Sequence, residues 1–190
     1  MARGGVNAAA IVEAAAELAD TEGPQAVSLT RLAGILGVRP PSLYAHIGGL
    51  DDVLRRLGAR GASELAAALS RAVEGRSGQE ALRALAVAYR EFAHRHPGTY
   101  AAAQRSRDLA GDSEARAAGE AVVRVALAVL REYGLEGDDA IHAVRLIRIS
   151  LHGFISLENA GGFALDLSLD ETFDRLLAML DLALRQAQTS

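Results

Sequence analysis

The stretch Ser28-Leu-Thr-Arg-Leu-Ala-Gly-Ile-Leu-Gly-Val-Arg-Pro-Pro-Ser-Leu-Tyr-Ala-His-Ile47 decides how this chain is read. Ser28 can cap a short helix from Leu29 to Leu36, and Gly37 supplies the left-handed residue that ends it. Arg39-Pro40-Pro41 follows. Proline is tolerated in a first helical turn, where its missing N–H would be orphaned anyway, so a further short helix is expected from Pro41 to Ile47. Leu32, Ala33, Leu36, Val38, Leu43 and Ile47 are placed to pack both short helices against a preceding one, which makes a helix-turn-helix. That packing leaves Thr30, Arg39, Ser42, Tyr44, Ala45 and His46 on the outer side, the side that enters a major groove. The residue types suit the task. Arginine forks onto guanine O6 and N7, serine and tyrosine hydroxyls reach phosphate, and the amides of Gly48, Gly49 and Leu50 at the next helix start offer a further phosphate site.

Helical periodicity continues on both sides of this stretch. Ala8, Ile11, Val12, Ala15, Leu18 and Ala19 recur at three- and four-residue steps, capped by Asn7 and stopped at Gly23-Pro24. A fourth helix is expected from Leu50 to Val73, followed by Gln79 to Arg95, Gly98 to Arg105, Ser113 to Tyr133, Asp138 to Ala160 and Asp170 to Gln186. No strand-like alternation appears, so the fold class is all-α: a helix-turn-helix head over residues 1–49 and a helical bundle over 50–190. At 190 residues and 50% apolar composition the chain can bury a core that offsets its ordering entropy. It holds no cysteine, which excludes disulfides, thiolate metal sites and a cysteine nucleophile, and the cytoplasm is its natural compartment. No apolar run reaches the roughly 18 residues of a membrane span. The net charge is −4, yet residues 24–60 carry five arginines against Asp51 and Asp52, so a mildly basic head adjoins an acidic body.

From Ile11-Val-Glu-Ala-Ala-Ala-Glu-Leu-Ala19 through Gly37-Val38 and Leu43-Tyr44-Ala45-His46 to Leu54, the chain resembles the DNA-binding head of the TetR family of transcriptional regulators. The resemblance implies that Tyr44 and His46 touch the DNA backbone, that Thr30, Arg39, Pro40, Ser42 and Ala45 lie at or near the bases, and that the N-terminus helps. Two positions depart from the family pattern. Ala45 stands where a bulky or basic residue is frequent, and Gly49-Leu50 where a lysine is common, so two phosphate contacts are missing. Ser150-Leu-His-Gly-Phe-Ile-Ser-Leu-Glu-Asn-Ala-Gly-Gly-Phe163 resembles the Trp-His-Gly variant of the family's body, with Leu151 in place of the Trp, and His94-Arg-His-Pro-Gly-Thr-Tyr100 resembles that group's turn between body helices. The resemblance implies a homodimer on double-stranded DNA with an inverted-repeat operator, most simply a repressor released by a small-molecule effector.

Other chemistries find less support. Glu91-Phe-Ala-His94 and Asp139-Ala-Ile-His142 have the spacing of a carboxylate-bridged metal pair, but such a site needs two more inward carboxylates, and Asp138 and Asp139 sit where a helix start favours acids. His152 fits either a ligand contact or hydrogen-bonded structure. No nucleophile triad or phosphate loop can be assembled, so no enzyme activity, metal or cofactor is expected; a metal-dependent helical bundle and a pure protein-interaction module are the alternatives. Tyr89, Phe92, Tyr100, Phe154 and Phe163 are candidates to line an effector cavity, with plain core packing as the competing reading. Val144, Leu151, Ile155, Phe173, Leu176, Leu180 and Leu184, on the last two helices, are candidates for the dimer interface, because these helices are apolar on more than one side.

Overall fold

Asn7 opens the first helix by accepting a hydrogen bond from the Ala10 amide at 2.9 Å, and the backbone then runs helical for four turns. This is a computed structural model, and it describes residues 5–105 and 113–187. In chain order the helices are α1 (Ala8–Glu22), α2 (Leu29–Leu36), α3 (Leu50–Val73), α4 (Gly78–Arg95), α5 (Pro97–Arg105), α6 (Ser113–Arg131), α7 (Gly137–Asn159) and α8 (Leu169–Ala187), with 3₁₀ helices at Pro24–Ala26 and Pro40–Ala45. No strand occurs among the described residues, and the architecture is all-α.

Local chemistry sets the start and stop of α2. Ser28 accepts from the Arg31 amide, and Gly37 at φ 68° turns the chain so that the Val38 amide donates to Ala33 O at 2.9 Å and the Gly37 amide to Gly34 O at 3.2 Å. The expected helix from Pro41 to Ile47 is corrected by the structure to a 3₁₀ helix, Pro40–Ala45. Consecutive prolines remove two amide donors, and the bonds that remain are of the short type, Ser42 N to Arg39 O and His46 N to Leu43 O, both 2.9 Å.

The chain forms two compact units that interleave in sequence. The first comprises Met1–Glu64 and Arg95–Gly119, the second Leu65–His94 and Glu120–Ser190. The sequence reading divides the chain at 49/50, whereas packing divides it elsewhere: α5 joins the head helices, and α3 continues from the first unit into the second.

In the first unit, Ile11, Ala15 and Leu18 of α1 meet Leu32 of α2, Leu43, Ile47, and Val53 and Leu57 of α3, with Ala102 of α5 at the edge. Helix α5 sits on α1 so closely that a Cβ at Gly98 would lie 2.1 Å from the Ala19 carbonyl oxygen. Asp20 fastens this contact: its carboxylate accepts from the Thr99 amide at 2.7 Å and the Thr99 hydroxyl at 3.1 Å, and lies 3.2 Å from His96 Nδ1. A carboxylate from α1 thereby caps the start of α5. A Cβ at Gly61 of α3 would likewise lie 2.7 Å from the Thr99 carbonyl oxygen.

In the second unit, Leu82 and Leu85 of α4, Leu130 of α6, Ile147, Leu151 and Ile155 of α7, and Phe173, Leu177 and Leu184 of α8 are buried. Arg90 of α4 pairs through two nitrogens with Glu158 of α7 and at 2.7 Å with Asp170 of α8, while its guanidinium stacks 4.8 Å from the Phe173 ring centre and 5.4 Å from that of Phe154. That hydrogen bonding holds the Glu158 carboxyl below its ordinary range against the opposing effect of burial. Just after α6, the Tyr133 hydroxyl donates to the buried Asp181 of α8 at 2.6 Å; burial first, then that carboxylate, raises the phenol's pKa. By length and mean hydropathy, 1.3 over its best window, α7 is apolar enough to cross a membrane, which the reading of apolar runs alone did not show. Its apolar residues divide between a buried side with Leu151 and Ile155 and an outer side with Leu146 and Ile149, as in a helix packed on two sides.

The close approach of α5 to α1 yields a prediction. In Gly98→Ala the new methyl meets backbone atoms that cannot rotate away, so the variant is expected to lose about 1–3 kcal/mol in denaturant unfolding. A change below about 0.5 kcal/mol would contradict this packing.

Candidate nucleic-acid interface

A 3₁₀ helix repeats every three residues, so side chains at i and i+3 eclipse. In Pro40–Ala45 Leu43 has no exposed surface, while Pro40 and His46, which share its row at the two ends, and the other two rows are exposed. One outward row runs Arg39, Ser42, Ala45 and begins on the residue that caps the helix; the other holds Pro41 and Tyr44. Thr30, Arg39, Pro40, Ser42, Tyr44, Ala45 and His46 are all exposed, Tyr44 at 60%, and Gly49 is half-buried. An exposed tyrosine, serine and arginine on one small element suit a nucleic-acid groove, with hydroxyls for phosphate and a guanidinium for base edges.

Charge pairing sorts the head's arginines. Arg31 is held by Glu22 at 2.6 and 2.7 Å, Arg55 and Arg56 converge on Asp52, and Arg60 bridges Glu13 at 2.6 Å and Glu64 at 2.7 Å. Among the described residues of the head, Arg39 is the arginine whose guanidinium has no partner in its own chain. The side chains of Ser42, Tyr44 and His46 likewise have no partner among the described residues, so their polar atoms can meet a bound molecule or solvent.

The amides at the start of α3 are arranged differently from the sequence expectation. The Gly48 amide already donates to Asp52 Oδ2 at 2.9 Å, so it is not open to a phosphate, and an exposed Asp51 stands beside it. Asp52 occupies the third position of the helix and reaches back past its start, as the acidic half of a capping box does. Burial works to raise the Asp52 pKa, but the Gly48 amide together with Arg55 and Arg56 outweighs it and lowers the value to about 2. The sequence signal for this was available, an aspartate four residues after a glycine at a helix start. The expected contribution of the N-terminal arm falls on residues 1–4, outside the described residues.

The residues put forward for an effector cavity are placed as follows. Tyr100 belongs to the first unit, and the other four to the second. Phe154 packs against Phe163 and Phe173 at ring-centre distances of 5.2 and 5.1 Å under Arg90, which is a filled aromatic cluster. Tyr89 and Phe92 are buried. A cavity of about 320 Å³ in the second unit is lined instead by Gln79, Glu80, Leu82, Arg83, Asp174, Leu177 and Ala178, with Arg83 and Asp174 paired at 2.8 Å. None of the five aromatic candidates lines it.

Several residues put forward for the dimer interface are corrected by burial: Leu151, Ile155, Phe173 and Leu184 lie in the core of their own unit. Val144, Leu176 and Leu180 are half-buried. The outward apolar residues of α7 and α8 are Leu146, Ile149 and Leu157, and Met179 and Leu182. The metal-like spacings also resolve: His94 of the Glu91–His94 pair lies 2.9 Å from Glu158, and no group of metal-ligating side chains occurs among the described residues. His152 is half-buried; burial first, then Arg148, lowers its pKa.

Comparison with known proteins agrees with this geometry. Residues 82–180 match the family model of the tetracyclin repressor-like C-terminal domain. The chain is 35% identical over 179 residues to the HTH-type transcriptional regulator Rv0681 of Mycobacterium tuberculosis, itself described as uncharacterized, covering 94% of this chain and 82% of that protein. It is 40% identical over 148 residues to the uncharacterized HTH-type transcriptional regulator YobS of Bacillus subtilis, covering 77% of this chain and 76% of that one. A solved structure of a protein of unknown function from Rhodococcus sp. RHA1 shares the fold with a TM-score of 0.80 at 24% identity, over 95% of this chain and 96% of that chain. The helix-turn-helix, its exposed reading rows and these matches define a DNA-binding transcriptional regulator. The chain belongs to the TetR family.

Asp52 gives the prediction here. Asp52→Asn releases Arg55, Arg56 and the Gly48 amide. Affinity for all DNA sequences is expected to rise, with a salt slope steeper by about 1 to 2, while the weakened cap costs about 1 kcal/mol of stability. The wild-type carboxylate titrates at about 2 when folded and at 3.8 as its ordinary value, so its contribution is present above about pH 4 and lost as pH falls towards 2. Denaturant midpoints at pH 5 and pH 2.5 should therefore differ less in the variant than in wild type. Weaker DNA binding by Asp52→Asn would show that the cap, not the released charge, governs this edge.

Proposed function

We propose that this regulator is a homodimeric repressor, acting in the cytoplasm by binding rather than catalysis, that holds an inverted-repeat operator on double-stranded DNA and releases it when a small-molecule effector occupies its body. The observation that carries the reading is the row Arg39, Ser42 and Ala45, exposed beside Tyr44 with its polar groups unpaired. Thr30, Pro40 and Gly49 flank that row, and His46 and Tyr44 take the role of phosphate contacts.

Dimerisation is supported by the outer faces of α7 and α8. These helices pack on each other, and Leu146, Ile149, Leu157, Met179 and Leu182 project outward, Met179 at 69% exposure. Val144, Leu176 and Leu180 border them. Two such pairs related by a two-fold axis bury a four-helix interface. Gly153 stands exposed on the same side of α7 and permits close approach.

Effector release follows from linkage. Helix α3 leaves the head and continues into the second unit, so a ligand that favours a different position of its far end weakens operator binding, and DNA weakens ligand binding by the same factor. A coupling of ~1–3 kcal/mol gives a release of about 5- to 150-fold.

Two measurements check the proposal. Fragments selected from random DNA should share an inverted repeat whose half-sites lie about one helical turn, ~34–36 Å, or a multiple apart. Enrichment of single, unrepeated sites would contradict a two-fold reader. In sedimentation, Ile149→Arg and Leu182→Arg should be folded monomers, because each places a charge on the outer face, whereas Leu151→Arg should unfold, at a cost of about 3–5 kcal/mol or more for a buried unpaired charge. A dimer persisting in both outer-face variants would contradict this interface.

A further inference from the structure

We infer that each half-site is read as one guanine and one thymine, the guanine by Arg39 and the thymine 5-methyl group by the methyl side chain of Ala45. The inference rests on the DNA-reading assignment above and adds the identity of the bases.

Three observations lead to it. First, the 3₁₀ period puts Arg39, Ser42 and Ala45 in a single row whose members are all exposed, while Leu43 is the buried residue of the element. We assign this row, which carries a guanidinium, a hydroxyl and a methyl, to the base edges, and the other exposed row, Pro41 and Tyr44, to the flank. Second, the row's chemistry is narrow. Arg39 alone among the head's arginines, over the described residues, keeps its guanidinium free, and a guanidinium fork matches guanine O6 and N7. Ala45 offers an exposed methyl and no hydrogen-bonding group, which suits the thymine methyl. Ser42 hydrogen-bonds either donors or acceptors and discriminates least. Third, the element lacks the side chains that read the other two bases. Between Arg39 and His46 there is no Asn or Gln to fork onto adenine N6 and N7, and no Asp or Glu to accept from cytosine N4.

The row also sets a spacing. From Arg39 to Ala45 is six residues at about 2 Å of rise each, roughly 12 Å, or about three to four base-pair steps of 3.4 Å. The half-site should hold its guanine and thymine about that far apart.

The test uses the full-length protein and an operator selected from random duplexes, then changes single atoms of the DNA. Replacing the half-site thymine by deoxyuridine removes only the 5-methyl group and is expected to weaken binding about fourfold, or about 16-fold with both half-sites replaced. Replacing the guanine by 7-deazaguanine removes only the N7 acceptor and is expected to weaken binding about tenfold. Ala45→Gly should erase the deoxyuridine effect, and Arg39→Ala the deazaguanine effect. The DNA substitutions leave the protein unchanged, so the inference stays testable should Ala45→Gly not fold. Unchanged affinity for both altered duplexes, or an operator without the guanine–thymine pair in each half-site, would overturn it while leaving the DNA-reading assignment standing. Absence of any enriched sequence together with a flat salt dependence would overturn that assignment itself.

Discussion

Burial of Leu43 is the constraint on which the reading surface depends. Its side chain has no exposed surface and sits among Ile11, Leu32 and Val53, so the 3₁₀ element cannot roll without exposing it. Full exposure of a leucine costs about 1.5–3 kcal/mol, enough to select one orientation. The tandem prolines set the period of the element, and period and anchor together aim Arg39, Ser42 and Ala45 away from the core.

Around that anchor the head manages its charges by pairing most of them. Arg31, Arg55, Arg56 and Arg60 are each committed to a carboxylate, and exposed pairs of this kind add little stability. What the pairing does, among the described residues of the head, is leave Arg39 as the arginine with no competing partner. The same economy appears at Asp20, which fastens α5 to α1 through Thr99 and His96 while Gly98 lets the two backbones approach. Part of the segment after α4 in sequence is thereby built into the same unit as the DNA-reading element.

How much of this was legible in the sequence follows the range of each interaction. Ser28 and Gly37 act within a few residues, and α2 begins and ends where they place it. Which side chains of the 3₁₀ element are buried and which exposed was legible because binary patterning assigns Leu43 and Ile47 inward and the remainder outward. The helix type of the same element was not, since counting periodicity over six residues does not weigh the loss of two proline amides. Leu151 and Ile149 show the limit of pattern reading on a helix apolar all round. They stand two residues apart, about 200° around α7, and only tertiary packing decides that Leu151 is core and Ile149 is surface. Phe154 belongs with these: its neighbours Arg90 and Phe173 come from other helices, so core and cavity wall look alike in sequence.

The chain has no cysteine, which permits a direct test of which way the recognition element faces. Single-cysteine variants Ser42→Cys and Leu54→Cys would each be mixed with operator duplex carrying a thiol tethered to a base edge in the major groove, and disulfide cross-linking measured under exchange conditions. The account predicts efficient cross-linking for Ser42→Cys and none above background for Leu54→Cys, which lies on α3 outside the reading row. Equal yields, or cross-linking only from the α3 position, would contradict the claim that the row through Arg39, Ser42 and Ala45 meets the bases.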